Sequence, residues 1–337
     1  MNKTLIVDGN NLLKIGIQGV KDFYHEGKHV GGIWHFLNTL RKFLEETNFN
    51  KVMIFWDSET NSTQRKLLYP EYKMNRKITP FDDEKKDSFN YQKNRIKEYL
   101  EEMFIRQLEV ENCEADDSIA YYCQISQDEE KTIFSSDKDL TQLISDKVTI
   151  YSPILKKYYR NGDNIKIKSY EIPHYNIKTY KIIVGDVSDN ISGIYNLGEK
   201  TFIKLFPEIL DSEVSYNDIL NKGKLLINEQ KKSVVLENLL SGKTKDGING
   251  EEFFLINKKL VDLSEPLIND EGKEMIKLYY SESLDPDGRG YKNLIKMMMN
   301  DGLFKFLPKG DEAWVGFLKP FLKLTRKEKT IYKNKKV

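Results

Sequence analysis

Nowhere in its 337 residues does the chain carry an apolar run long enough to cross a bilayer, which argues against a membrane-spanning helix. Cysteine is scarce: only Cys113 and Cys123 are present, in no CxxC spacing, and the four histidines form no HExxH-type pair. Neither a disulfide framework nor a zinc site is expected. The first strand-like run, TLIVDG, starts at Thr4 and leaves no room for a signal peptide, so a reducing cytoplasm is the expected compartment. No heptad, apolar stripe or internal repeat calls for a partner copy, and a monomer is expected.

Net charge is also nearly absent, at +1, but it is unevenly distributed. Residues 319–337 hold eight Lys or Arg against Glu328 alone, a net of +7, which leaves the preceding 318 residues with 45 basic and 51 acidic side chains, a net of −6. An acidic body with a basic tail is therefore expected, the tail being either a solvated extension or a contact for DNA or a protein partner. With 39% hydrophobic and 31% charged residues the chain has enough apolar surface to fold without staples, and its length predicts two cores.

Four runs read as strands: TLIVD (4–8), VMIFWD (52–57), TIFSSD (132–137) and VTIY (148–151). They are apolar and β-branched without polar alternation, the pattern of strands buried on both faces. Helix-period segments lie between them, notably 33–46 and 116–126. The alternation predicts an α/β fold with a central, mostly parallel sheet flanked by helices. Residues 61–106 differ, with 11 basic and 8 acidic side chains and thinly spread hydrophobics, and read as a helical, partly mobile excursion. From 176 the pattern is mainly helical, so the expected domains are 1–175, 176–318 and the tail 319–337.

Three of the strand runs end in aspartate: Asp8, Asp57 and Asp137. Taken singly, each reads as a turn former or helix cap. Ligands in open parallel sheets collect beyond the carboxyl ends of the strands, so the three should converge. CEADDSIA adds Glu114 and Asp117 on one face of a helix start with Asp116 between them; the helix dipole accounts for one or two such acids, not readily for three. In SSDKDLTQL, Asp137 and Asp139 share one side of an extended segment, and GDVSDN supplies Asp186 and Asp189. So many carboxylates brought together require neutralisation. Oxygen ligands without His or Cys favour magnesium, or manganese in its place, over zinc, and two ions roughly 4 Å apart suit phosphodiester hydrolysis.

With these groups in this order, the sequence resembles the flap endonuclease or 5′ nuclease superfamily, and looks most like its phage RNase H branch, typified by T-even phages. VDGNN, Asp57, YPEYKMNR, CEADDSIA, SSDKDLTQL and VGDVSDN carry the resemblance over residues 3–206, with a looser similarity through Leu307. It implies a PIN-like nuclease core and a first metal set of Asp8, Asp57, Glu114 and Asp116 with Asp117 close by. The second set would be Asp137, Asp139, Asp186 and Asp189, and the catalytic group would be Lys73 and Arg76 with Asp8, Asp57, Glu114, Asp116, Asp137 and Asp139. The family's basic gate matches Tyr72, Lys73 and Arg76, the two cations on one helix face. Residues 78–98 match its arch, where Lys85, Lys86, Lys93 and Arg95 would follow a single strand. ISGIYNLGEKT resembles its duplex-gripping helix-turn-helix (about 176–206), through Gly193, Gly198 and Lys200. A monovalent-cation site at that turn is also implied, although Asn196 stands where glycine is usual. The implied activity is structure-specific 5′ cleavage of RNA–DNA or DNA duplexes and flaps, such as RNA primer removal in phage replication. Nucleic acid is the expected partner, beside replication proteins such as a single-stranded-DNA-binding protein. The rival readings are a simpler PIN-type ribonuclease and a non-catalytic DNA-binding module.

Overall fold

The uninterrupted apolar runs become the centre of one sheet. The computed structural model describes residues 3–20, 23–75, 81–229, 233–245, 247, 249–281, 284, 289–307 and 312–335, side chains at 81–83, 312 and 325–335 excepted. Arg76 and positions 78–80 of the expected arch lie outside the described residues. In chain order the elements begin with strand β1 (Lys3–Asp8), helix α1 (Gly9–Gly19), a small hairpin of β2 (Tyr24–His25) and β3 (Lys28–His29), α2 (Gly31–Glu46), β4 (Lys51–Trp56), α3 (Thr63–Leu68) and α4 (Phe81–Glu102). There follow β5 (Arg106–Glu109), α5 (Ala115–Ile125), β6 (Glu130–Phe134), β7 (Val148–Ser152), β8 (Lys157–Tyr159), a second hairpin of β9 (Asn164–Lys166) and β10 (Glu171–Pro173), and α6 (Ile177–Val184). The remaining helices are α7 (Glu199–Leu205), α8 (Tyr216–Glu229), α9 (Val234–Leu240), α10 (Glu251–Val261), α11 (Asp270–Ser281), α12 (Tyr291–Asn300) and α13 (Glu312–Lys335).

The main sheet has the order β5-β4-β1-β6-β7-β8, parallel throughout except for β8, which runs antiparallel to β7. The four expected strands form its middle. The two edges escaped the sequence pattern because RQLE and KYY are short and partly polar. The chain leaves β1 in one direction for β4 and β5, then returns to build β6, β7 and β8 on the other side. That reversal places a crevice at the carboxyl ends of β4, β1 and β6, where such sheets bind ligands.

Alternate strand residues face two separate cores. Ile6, Met53, Phe55, Leu108, Ile133 and Ile150 pack with residues of α5, α6, α7, α9, α10 and α11. Leu5, Val7, Val52, Ile54, Trp56 and Phe134 pack with α1, α2, α4, α12 and α13. Each such apolar side chain withdrawn from water contributes roughly 1.5–3 kcal/mol. Helices beyond 176 thus share a core with one sheet face, whereas those from Tyr291 return to the other.

Two expectations are corrected. In α4 the residues near Glu84 are exposed, but Gln92, Ile96, Tyr99 and Leu100 are fully buried, so the second half of the 61–106 excursion is core. Lys93 and Arg95 are spent there: Lys93 Nζ bonds the Asp57 carbonyl at 2.7 Å and Glu109 at 3.0 Å, and Arg95 Nε meets Asp301 at 2.7 Å.

Candidate active site

Asp8 ends β1 and caps α1, its Oδ1 accepting from the Asn11 amide at 2.9 Å. Its Oδ2 accepts from Ser135 Oγ at 3.0 Å. One strand over, Asp57 accepts from Asn10 Nδ2 at 2.8 Å and from the Ala115 amide at 2.9 Å. The bond to Ala115 ties the end of β4 to the start of α5 and so draws Asp116 into the crevice. After β6, Asp137 accepts from the Asp139 amide at 2.9 Å; Asp139 opens a short 3₁₀ turn, so this turn, and not the expected extended segment, brings the pair together. Asp8, Asp57, Glu114, Asp116, Asp137, Asp139, Asp186 and Asp189 all line one cavity of about 600 Å³.

Burial, then Asp57 and Asp137, push the Asp8 carboxyl up to about 7. Asp116 is raised well above the usual range by burial and by Asp137, Asp8, Asp57 and Glu114. Among the described residues, the cations in this half, Lys73 and Arg65, pair with Glu114 and not with Asp8 or Asp116. The other half has its own cation. Oxygens of Asp139, Asp186 and Asp189 lie within 4.8 Å of one another, and Lys181 of α6 bonds both Asp139 and Asp186, the latter at 2.5 Å. Burial raises Asp139 to about 6 against the opposing pull of Lys181. For Lys181, burial is outweighed by the two carboxylates, which hold the ammonium charged.

Residues 70–75 form successive turns, so Lys73 does not lie on the expected helix face; its backbone is left-handed, at φ +59°. Its amide donates to the Asp189 carbonyl at 2.9 Å, and its Nζ meets Glu114 at 2.7 Å. Tyr72, 1% exposed, donates its hydroxyl within 3.3 Å of Glu114 and 3.1 Å of Asp189. Asn75 Nδ2 to the Val187 carbonyl (2.6 Å) and Asn190 Nδ2 to the Glu71 carbonyl (2.7 Å) complete a clamp between this segment and the loop bearing Asp186 and Asp189.

A family model described as the 5′-3′ exonuclease, N-terminal resolvase-like domain matches residues 3–171. The chain belongs to the 5′-3′ exonuclease family. It is 31% identical over 250 residues to DNA polymerase I of Borreliella burgdorferi, covering 72% of this chain but 27% of that one. To the 5′-3′ exonuclease of Buchnera aphidicola it is 29% identical over 243 residues, covering 70% and 82%. This exonuclease-family chain thus spans a quarter to a third of the length of the polymerases it matches. Among solved structures, a bacteriophage T5 5′-exonuclease with bound zinc shares the fold at TM-score 0.63 and 20% identity, covering 90% of this chain and 99% of that one. A complex of the T5 flap endonuclease with DNA and metal ions gives 0.61 and 20%, covering 90% and 98%.

Of the carboxylates expected in the exonuclease-family site, Asp117 alone stands apart. It is 1% exposed and engages Arg65 through both oxygens, Nη1 at 2.5 Å and Nη2 at 3.2 Å. It also accepts from the Leu267 amide at 2.9 Å. Arg65 in turn lies 3.5 Å from Glu114 and donates to the Leu260 carbonyl, so Asp117 braces its neighbours instead of facing the cavity. Lys181, Arg65 and the cavity-lining Lys14, Lys138 and Lys168 were not singled out from the sequence. For Lys181 a signal existed, a lone cation inside the apolar run YKIIV. In the helix-turn-helix segment, Gly193 packs so tightly that a Cβ would sit 2.1 Å from the Val184 carbonyl oxygen. Asn196 takes the left-handed backbone, at φ +64°, and Gly198 and Lys200 are exposed at the start of α7.

Proposed function

We propose that this chain is a magnesium-dependent, structure-specific 5′ nuclease that hydrolyses phosphodiesters near the 5′ ends of RNA–DNA or DNA duplexes, flaps included. The observation that carries the reading is the convergence of eight carboxylates on one cavity, with Lys73 and Tyr72 also lining it. The residues fit divalent cations: every donor is oxygen, and among the described residues neither the buried Asp8 nor the half-buried Asp116 forms an ion pair with a cation. Asp8, Asp57, Glu114 and Asp116 would hold one ion, and Asp137, Asp139, Asp186 and Asp189 the other. When bound, the ions supply activation of water and stabilisation of the leaving oxygen.

The protein's own residues do the rest. Asn10, Asn11 and Ser135 fix Asp57 and Asp8 in place. Lys73, freed from Glu114, would reach the scissile phosphate and offset charge that builds as water adds to phosphorus and the bond to the ribose oxygen breaks; Arg76 is assigned the same role. The 193–200 turn offers backbone amides and Lys200 to duplex phosphates, which position a substrate without reading its sequence. Such a nuclease suits primer removal in phage replication, acting as a monomer in the host cytoplasm, within the T-even RNase H branch, and beside a single-stranded-DNA-binding protein.

The test is incubation of a 5′-labelled RNA–DNA duplex and a flap with magnesium, using the parent protein and Asp137→Asn in parallel. Short 5′ products from the parent alone are expected. Equal products from both, or none from either, would reject the mechanism.

A further inference from the structure

Between α9 and α10 runs a loop, 241–250, that the carboxylate cavity does not use. It is built onto the 193–200 turn. Thr244 pairs antiparallel with Ile194, and the Tyr195 amide donates to the Lys243 carbonyl at 2.9 Å. From the other side, Asn238 Nδ2 donates to the Tyr195 carbonyl at 3.0 Å, and the Lys243 amide donates to the Asn238 carbonyl at 2.9 Å. The base of the loop admits no side chain: Gly242 has φ +61°, and a Cβ there would lie 2.2 Å from the Gly250 carbonyl oxygen. Hydrogen bonds among 194–195, 238 and 243–244 therefore hold the base of this loop against the turn.

The pairing decides which way its side chains point. Thr244 is 3% exposed and faces inward, whereas Lys243 and Lys245 on either side of it are both exposed. Two residues apart, their α-carbons are separated by at most about 7 Å, so the two ammonium groups can address neighbouring phosphates. On the facing segment Tyr195, Asn196 and Lys200 are exposed as well.

We propose that Lys243 and Lys245 are a second phosphate contact for duplex nucleic acid, built as one unit with the 193–200 turn. The proposal rests on the reading of that turn as duplex-binding. Lysines that neutralise phosphates release condensed counterions, so each contact contributes a measurable increment to the salt dependence of binding.

The experiment measures binding of a blunt duplex by the full chain in chelator across a KCl series, for the parent, Lys200→Ala and Lys243→Ala/Lys245→Ala. The expected result is a salt slope lowered by about 1.8 in the double variant, at about 0.9 per phosphate contact, with an unchanged melting temperature. A single-stranded oligonucleotide should bind both proteins alike. If Lys200→Ala lowers the duplex slope and the double variant keeps the parent's, the second contact is refuted while the turn keeps its role. If neither variant changes the slope, the duplex-binding reading of the turn falls and the proposal falls with it.

Discussion

Lys181 is a built-in cation for Asp139 and Asp186, and its removal separates charge from shape. Taking one partner from a buried ion pair costs about 3–5 kcal/mol. Lys181→Met should therefore lose about 3 kcal/mol in urea unfolding of the metal-free protein, and much less in excess magnesium, where ions replace the ammonium. An equal loss with and without metal would mean that the lysine serves packing alone. The carboxyls make a second prediction at this scale. Asp8 and Asp139 have folded values of about 7 and about 6, raised from 3.8 by burial, so the folded state favours their protonated forms. That contribution is complete below about pH 4 and is lost as pH rises through 6 and 7. In chelator the melting temperature should fall from pH 5 to pH 8, and Asp8→Asn should flatten the fall; a level or rising profile in the parent would contradict it. The sequence marks Lys181 only as a lone cation inside YKIIV; its pairing with Asp139, 42 positions away, is recorded by no local pattern.

At the scale of elements, the clamp between 69–75 and 185–191 has the clearest consequence. Lys73 sits at its centre with its amide bonded to Asp189, so losing the flanking Asn75 and Asn190 bonds should let Lys73 wander without emptying the cavity. With a typical hydrogen bond worth about 1 kcal/mol, Asn75→Ala/Asn190→Ala should lower kcat about tenfold to thirtyfold while KM stays within about twofold. A proportionate rise in KM with kcat intact would show that the clamp governs binding instead. The strands that carry Asp8, Asp57 and Asp137 were legible because burial on both faces writes an unbroken apolar run. β5 and β8 were not, since edges tolerate polar residues. Residues 69–75 were misread as helix for a related reason: Tyr72 and Lys73 are placed by Glu114 and Asp189, and those tertiary bonds override local propensity.

For the whole molecule, the two cores lie back to back across one sheet, and each is completed by late segments of the chain. Phe317, Phe321 and Leu324 close the second core against α2. Ending the chain at residue 171 should abolish cooperative unfolding, because Ile177, Ile182, Phe202 and Phe253 of the first core are lost with it. A sharp thermal transition in that fragment would show that the sheet needs no such cover. The same geometry bears on chimeras. Similarity to the family's N-terminal domain stops at residue 171, yet Arg65 reaches the Leu260 carbonyl, Asp117 the Leu267 amide, and Lys73 the Asp189 carbonyl. A recombinant joining one relative's first 171 residues to another's remainder would therefore inherit a mismatched cavity wall. Working crossovers belong outside the span from Asp8 to Leu267.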